Sequence, residues 1–161
     1  MRRVKLICFG KLKEPYWRAA CAEYEKRLGP YCKLDIIELA PAALPDEPSP
    51  AQIGQALDAE AKLALGKIPK GASVAALCVE GGQMSSEQFA AWINAQPGEI
   101  ALLIGSSYGL GESIKKQAHL KLSLSKMTFP HQLARVNLLE QLYRAAQIQT
   151  GGKYHKWRTS S

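Results

Sequence analysis

The sequence predicts an α/β fold, a mostly parallel sheet flanked by helices. Short β-type runs alternate along the chain with longer stretches of helical periodicity. Two of those runs, Ser73–Val79 and Ile100–Ile104, are continuously apolar, as strands covered on both faces are. Glycine or proline punctuates most junctions. At 161 residues the chain reads as a single domain, 1–161, large enough to bury a real core and without internal repeats.

Each element has a local signal. Arg3–Phe9 is a short strand stopped by Gly10. Glu14–Leu28 places Trp17, Cys21, Tyr24 and Leu28 at helical spacing, with Pro15 suited to a first turn and Gly29-Pro30 as a stop. Lys33–Leu39 is a second strand. Residues 40–50 hold four prolines and read as a mobile surface loop before a helix from Ala51 to Leu65. After Ser73–Val79, Gly81-Gly82 is expected to turn the chain. Ser85 and Gln88 form a capping box for a helix to Ala95. Ile100–Ile104, a short helix at Glu112–Ala118, a strand at Leu120–Leu124 and a long helix that starts near His131 and ends before Gly151-Gly152 complete the order.

Charge is unevenly placed. Residues 1–110 carry 12 Lys/Arg and 12 Asp/Glu, whereas residues 111–161 carry 9 Lys/Arg against Glu112 and Glu140 alone. The whole net charge of +7, and all three histidines, therefore sit in the last third. A localised basic region attracts phosphates. The four cysteines, Cys8, Cys21, Cys32 and Cys78, lack CxxC spacing and read as reduced thiols rather than metal ligands. The amino-terminal MRRVKLICFG is not expected to be a signal peptide, and no apolar run approaches the ~20 residues of a membrane span.

Three segments carry candidate chemistry. Gly105-Ser106-Ser107-Tyr108-Gly109-Leu110 follows an apolar strand, where open α/β sheets bind ligands. It matches neither GxGxxG nor a P-loop. Leu124–Phe129 precedes Pro130 and offers backbone hydrogen bonds with apolar side chains to wrap a purine. The following helix has apolar residues on more than one side, which predicts burial both in its own core and against a second copy, with Arg135, Glu140 and Arg144 near that interface. The tail, 151–161, interleaves Tyr154, His155 and Trp157 with Lys153, Lys156 and Arg158, a pattern that stacks on bases and neutralises phosphates.

The motifs IG-x-x-x-GL, LS-x-MT-FPHQLARV-x-LLEQLYRA and GGKYHK, with the opening FGKLKEPYWRAACAEYEKRLGPY, together resemble the bacterial large-subunit ribosomal RNA pseudouridine methyltransferase H family. The likeness covers nearly the whole chain. It implies a SPOUT (α/β-knot) fold with a carboxyl-terminal trefoil knot, and a cytoplasmic homodimer without membrane attachment. It also implies S-adenosylmethionine as methyl donor and N3 of a pseudouridine in 23S rRNA of the assembled ribosome as target.

Carried over by motif, Leu77, Gly105, Leu124, Ser125, Lys126, Met127, Thr128 and Phe129 are the expected cofactor residues. Arg135, Glu140, Arg144, Tyr154 and His155 are the expected catalytic and target-orienting residues, with Lys153, Lys156 and Arg158 on RNA. His155 and Glu140 are the alternative proton acceptors, and His131 is expected to shape the loop after Pro130. The chain departs from the family at Ser106, where a second glycine is usual, and at Trp157–Ser161, which extend past the YHK motif. Two other readings stay open: a non-catalytic RNA-binding protein on the same scaffold, and a SPOUT enzyme acting on tRNA.

Overall fold

The structure is a computed structural model and describes residues 1–156. Ten elements follow in the order β1 (Arg2–Phe9), α1 (Pro15–Leu28), β2 (Cys32–Leu39), α2 (Pro50–Leu65), β3 (Ser73–Gly82), α3 (Ser86–Ala95), β4 (Ile100–Ile104), α4 (Glu112–Gln117), β5 (Leu120–Leu122) and α5 (His131–Thr150). The five strands form one parallel sheet in the order β2-β1-β4-β3-β5. This is the α/β architecture that the alternation predicts.

The period-2 geometry of the strands divides their side chains between two cores. Leu6 and Cys8 of β1, with Leu102 and Ile104 of β4, pack on one face with Cys21, Leu28, Phe89, Ile93 and Leu138 from α1, α3 and α5. Ile7, Phe9, Ala101 and Leu103 point to the opposite face and meet Ala61, Ala64 and Ile114 from α2 and α4. Both faces of β4 are thus covered, so its run can be wholly apolar.

Two helices begin with reciprocal capping. Ser85 Oγ accepts from the Gln88 amide at 3.1 Å while Gln88 Oε1 accepts from the Ser85 amide at 2.8 Å. Ser49 and Gln52 make the same pair, which starts α2 at Pro50 rather than Ala51. The proline-rich loop before it is pinned, because the Ala42 amide donates to buried Glu60 at 2.9 Å.

Two strand ends differ from expectation. Gly81-Gly82 continue β3 instead of turning it, and Gly82 pairs with Leu122 after a break in register. A Cβ on Gly81 would lie 2.7 Å from the Lys121 backbone, so only glycine permits this approach. β5 stops at Leu122 because serines impose a turn: Ser123 Oγ donates to the Ser125 carbonyl at 2.8 Å, and Ser125 Oγ accepts from the Met127 amide at 3.0 Å.

Most of the apolar residues of α5 pack within the chain, among them Leu138, Leu139, Leu142 and Ala145. The helix lies against both α1 and α3, and none of its residues from His131 to Ile148 is exposed. All four cysteines are free thiols, as their spacing implied. Burial pushes the Cys8 thiol up to about 11, so it stays protonated at neutral pH. Among the described residues, no helix is long and apolar enough to cross a membrane.

Candidate functional site

A crevice of about 650 Å³ opens beyond the carboxyl ends of β3, β4 and β5. That volume lies within the roughly 300–1,000 Å³ of small-molecule sites. One strand segment and two loops build it. Leu77–Glu80 belong to β3 itself, Ile104–Leu110 run from the end of β4, and Ser123–Phe129 follow β5. Seven of the expected cofactor residues line it: Leu77, Gly105, Leu124, Ser125, Met127, Thr128 and Phe129. Lys126 belongs to the same loop but is exposed and is not part of the lining.

Gly105 has a physical role different from simple access for a ligand. A Cβ there would meet the Gly109 carbonyl at 2.3 Å. Gly109 itself turns with φ +92°, and its amide bonds the Ser106 carbonyl at 2.9 Å. The loop is folded back on its own start, and glycine is needed at both ends for that closure.

Ser106 does not disable the crevice. Its hydroxyl donates to Glu60 Oε1 at 2.7 Å, while the other carboxylate oxygen takes the Ala42 amide. The added side chain thereby satisfies a carboxylate only 3% exposed instead of filling the ligand space.

The crevice also contains residues not anticipated from the sequence. Glu80 and Lys115 face it as an ion pair with an N···O distance of 2.5 Å. His131, the first residue of α5, lines it as well, consistent with its expected role in shaping the loop. Burial first, and the Arg135 cation second, hold its imidazole below the ordinary histidine value, favouring the neutral ring. No short-range motif signals Glu80 or Lys115. Their roles follow only from β3 and α4 meeting at the same rim.

The tail folds back onto α5 and α3. Arg144 donates to both carboxylate oxygens of Glu140, at 3.2 and 2.8 Å. The Tyr154 hydroxyl donates to Glu140 at 2.8 Å, and its ring lies 4.8 Å beneath the Arg144 guanidinium. Burial and the Glu140 hydrogen bond raise the Tyr154 phenol, so it acts as a neutral donor. Arg144 Nη1 lies 2.9 Å from His155 Nδ1, and His155 Nε2 lies 2.8 Å from Glu87. A guanidinium only donates, so Nδ1 is the acceptor and Nε2 carries the proton given to Glu87. Neither Glu140 nor His155 therefore offers a free acceptor in this arrangement.

Four of the five expected catalytic residues, Glu140, Arg144, Tyr154 and His155, form this one network. Arg135 is elsewhere. It donates to Glu38 at 2.7 Å and to the Gly10 carbonyl at 3.1 Å, tying α5 to the ends of β2 and β1. Lys153 and Lys156 are exposed, as RNA contacts require, while Arg158 lies outside the described residues. A second cavity of about 230 Å³ shares lining residues with the crevice and touches the network at Glu140. Glu140, Asn137 and Gln141 line it on one side, and Leu124 and Phe129 form the wall it shares with the larger space.

These features define a class: an α/β protein with a crevice of small-molecule size at parallel strand ends and a cationic, aromatic tail network on its last helix. The chain belongs to the predicted SPOUT methyltransferase family, whose model matches residues 2–155. It is 46% identical over 158 residues to the ribosomal RNA large subunit methyltransferase H of Streptococcus equi subsp. zooepidemicus (strain MGCS10565), covering 96% of this chain and 99% of that one. The protein of the same name from Streptococcus equi subsp. equi (strain 4047) matches with the same identity and coverage. In three dimensions the fold is similar to a probable methylase family protein from Haemophilus influenzae Rd KW20. The TM-score is 0.53 at 16% identity, over 99% of this chain and 72% of that chain.

Proposed function

We propose that this protein transfers a methyl group from S-adenosylmethionine to N3 of a pseudouridine in 23S rRNA of the assembled ribosome. The observation that carries the reading is the 46% identity, along nearly the full chain, to enzymes named for large-subunit ribosomal RNA methylation. The crevice suits the cofactor in size and in donor set. Leu77, Leu124, Met127 and Phe129 can enclose a purine, serines and loop amides can satisfy its polar edges, and two charged side chains remain for a charged end. The bound cofactor supplies an already activated methyl group. The protein's task is then to hold the nucleophile in line and stabilise the charge left as N3 gives its proton to solvent water.

Arg144 is the cation suited to that charge. Glu140 and His155 hold its guanidinium in place, and Glu140 borders the cavity behind Phe129. Lys153 and Lys156 on the tail would neutralise phosphates of the target. Radiolabelled S-adenosylmethionine, incubated with ribosomes lacking the modification, isolated subunits, naked rRNA and tRNA, tests the reading. Label in 23S rRNA that prefers intact ribosomes is the expected result. Label in tRNA alone, or in none of them, would overturn it. The non-catalytic alternative rested on Ser106, and its hydroxyl is bonded to Glu60.

The protein is proposed to work as a cytoplasmic homodimer. Val79, Tyr108 and Met127 all line the crevice yet are 54%, 49% and 76% exposed, an apolar rim that a second copy would cover. A dimeric mass by sedimentation at micromolar concentration is expected; a monomeric mass would remove this part of the proposal.

A further inference from the structure

We propose that the Lys115–Glu80 ion pair is the seat for the methionyl end of S-adenosylmethionine, with Lys115 taking its α-carboxylate and Glu80 its α-ammonium. The inference rests on the reading of the crevice as the cofactor pocket and specifies which wall holds which part of the ligand. Glu80 and Lys115 are the only formally charged side chains among the described residues lining the crevice. The amino-acid end of the cofactor is a zwitterion, and desolvating either charge without a partner is expensive. Its two charges are attached to one carbon, so their receptors must be neighbours of opposite sign. The pair meets that condition, at 2.5 Å.

The elements place the pair to one side of the apolar wall. Glu80 lies beyond Leu77 on β3, and Lys115 reaches it from α4. Leu124–Phe129 come from the loop that follows β5, so a purine against them leaves the β3–α4 side for the other end of the ligand. Exchange of partners is inexpensive. The Glu80 side chain is 58% exposed, and a pair this open contributes little to stability. Lys115, 19% exposed, keeps Glu112 at 3.6 Å as a further counter-charge when Glu80 turns to a ligand. Hydrogen bonding to Glu80 raises the Lys115 ammonium above the ordinary lysine value, so it is charged when a carboxylate arrives. In the free crevice the two groups neutralise each other, so neither charge is left unmatched.

Calorimetric binding to the full-length protein tests this with ligands that differ only at that end. Wild type is expected to bind decarboxylated S-adenosylmethionine about tenfold or more weakly than S-adenosylmethionine, the worth of a charge-assisted hydrogen bond. Lys115→Met is expected to lose the same factor for S-adenosylmethionine and to bind the two ligands alike. Both proteins should bind 5′-methylthioadenosine, which lacks the amino-acid end, within twofold of each other. Glu80→Gln should weaken S-adenosylmethionine while Lys115 remains.

Equal affinity of wild type for the two charged ligands overturns the assignment without any variant. So does an equal loss of 5′-methylthioadenosine and S-adenosylmethionine in Lys115→Met, which would mark Lys115 as a support of the pocket. Wild type that binds methylthioadenosine and S-adenosylmethionine equally well would sink the zwitterion seat but keep the cofactor pocket. Wild type that binds none of these ligands would remove the pocket reading itself, and the inference with it.

Discussion

Glu38→Ala is expected to lower folding stability by about 2–4 kcal/mol. The side chain it leaves behind explains the size. Arg135 is 3% exposed overall, and without Glu38 its guanidinium keeps the Gly10 carbonyl, with the Cys8 thiol and the more distant Glu25 carboxylate as weaker partners. A buried cation stripped of its carboxylate keeps its desolvation penalty and loses the attraction that offset it. The Glu38 side chain is 32% exposed, so water can enter and moderate the loss below that of a fully buried pair. The double variant Glu38→Leu/Arg135→Met should recover most of the stability, because neither charge then remains to be buried. Urea denaturation of the three proteins checks this. A double variant as unstable as Glu38→Ala would show that the ion pair is not the source of the effect.

Arg144→Ala is expected to reduce kcat/KM for ribosomes by about 10²–10³, with S-adenosylmethionine affinity within twofold of wild type. The guanidinium bonds Glu140 twice, bonds His155 and covers the Tyr154 ring, so its removal releases the tail from α5. It does not line the crevice, which is why cofactor binding should be spared. Arg144→Lys should rescue only part of the rate. An ammonium keeps the charge but cannot span two Glu140 oxygens and His155 Nδ1 in the same fixed plane. Single-turnover methylation with calorimetry in parallel measures both quantities. Unchanged transfer in Arg144→Ala would remove the tail network from the reaction, and a matching loss of cofactor affinity would make its role structural.

Of the residues that the family likeness assigned to a cofactor, all but Lys126 line the crevice, and Leu124–Phe129 and Gly105 sit in short motifs that follow strands. Glu140, Arg144, Tyr154 and His155 were singled out through the terminal motifs as target-orienting residues, but that they bond one another is legible only in the structure. Glu87, the acceptor for His155, was not anticipated; the two are separated by 68 positions. Arg135 shows the opposite case. Its place in a motif assigned it to the target, yet its hydrogen bonds reach 97 and 125 residues back to the strand ends. The apolar residues on several sides of α5 predicted burial within the chain and against a second copy. The structure shows the first, with α1 and α3 as the neighbours within one chain.

What the sequence by itself determined is what acts over a few residues. The alternation of strand and helix periods set the order of elements, the Ser-x-x-Gln boxes set two helix starts, and the last third alone concentrated the cations. Only the tertiary structure decided which charges meet. Strand register and helix packing brought Glu60 to Ser106, Glu38 to Arg135 and Glu80 to Lys115. It also decided that Gly81-Gly82 would stay in the sheet, where the β5 backbone passes too close to Gly81 for any side chain there. The physical reason is one of range. Propensity, capping and turn chemistry are energies of neighbouring residues, whereas an ion pair between distant positions exists only once the sheet has set their places.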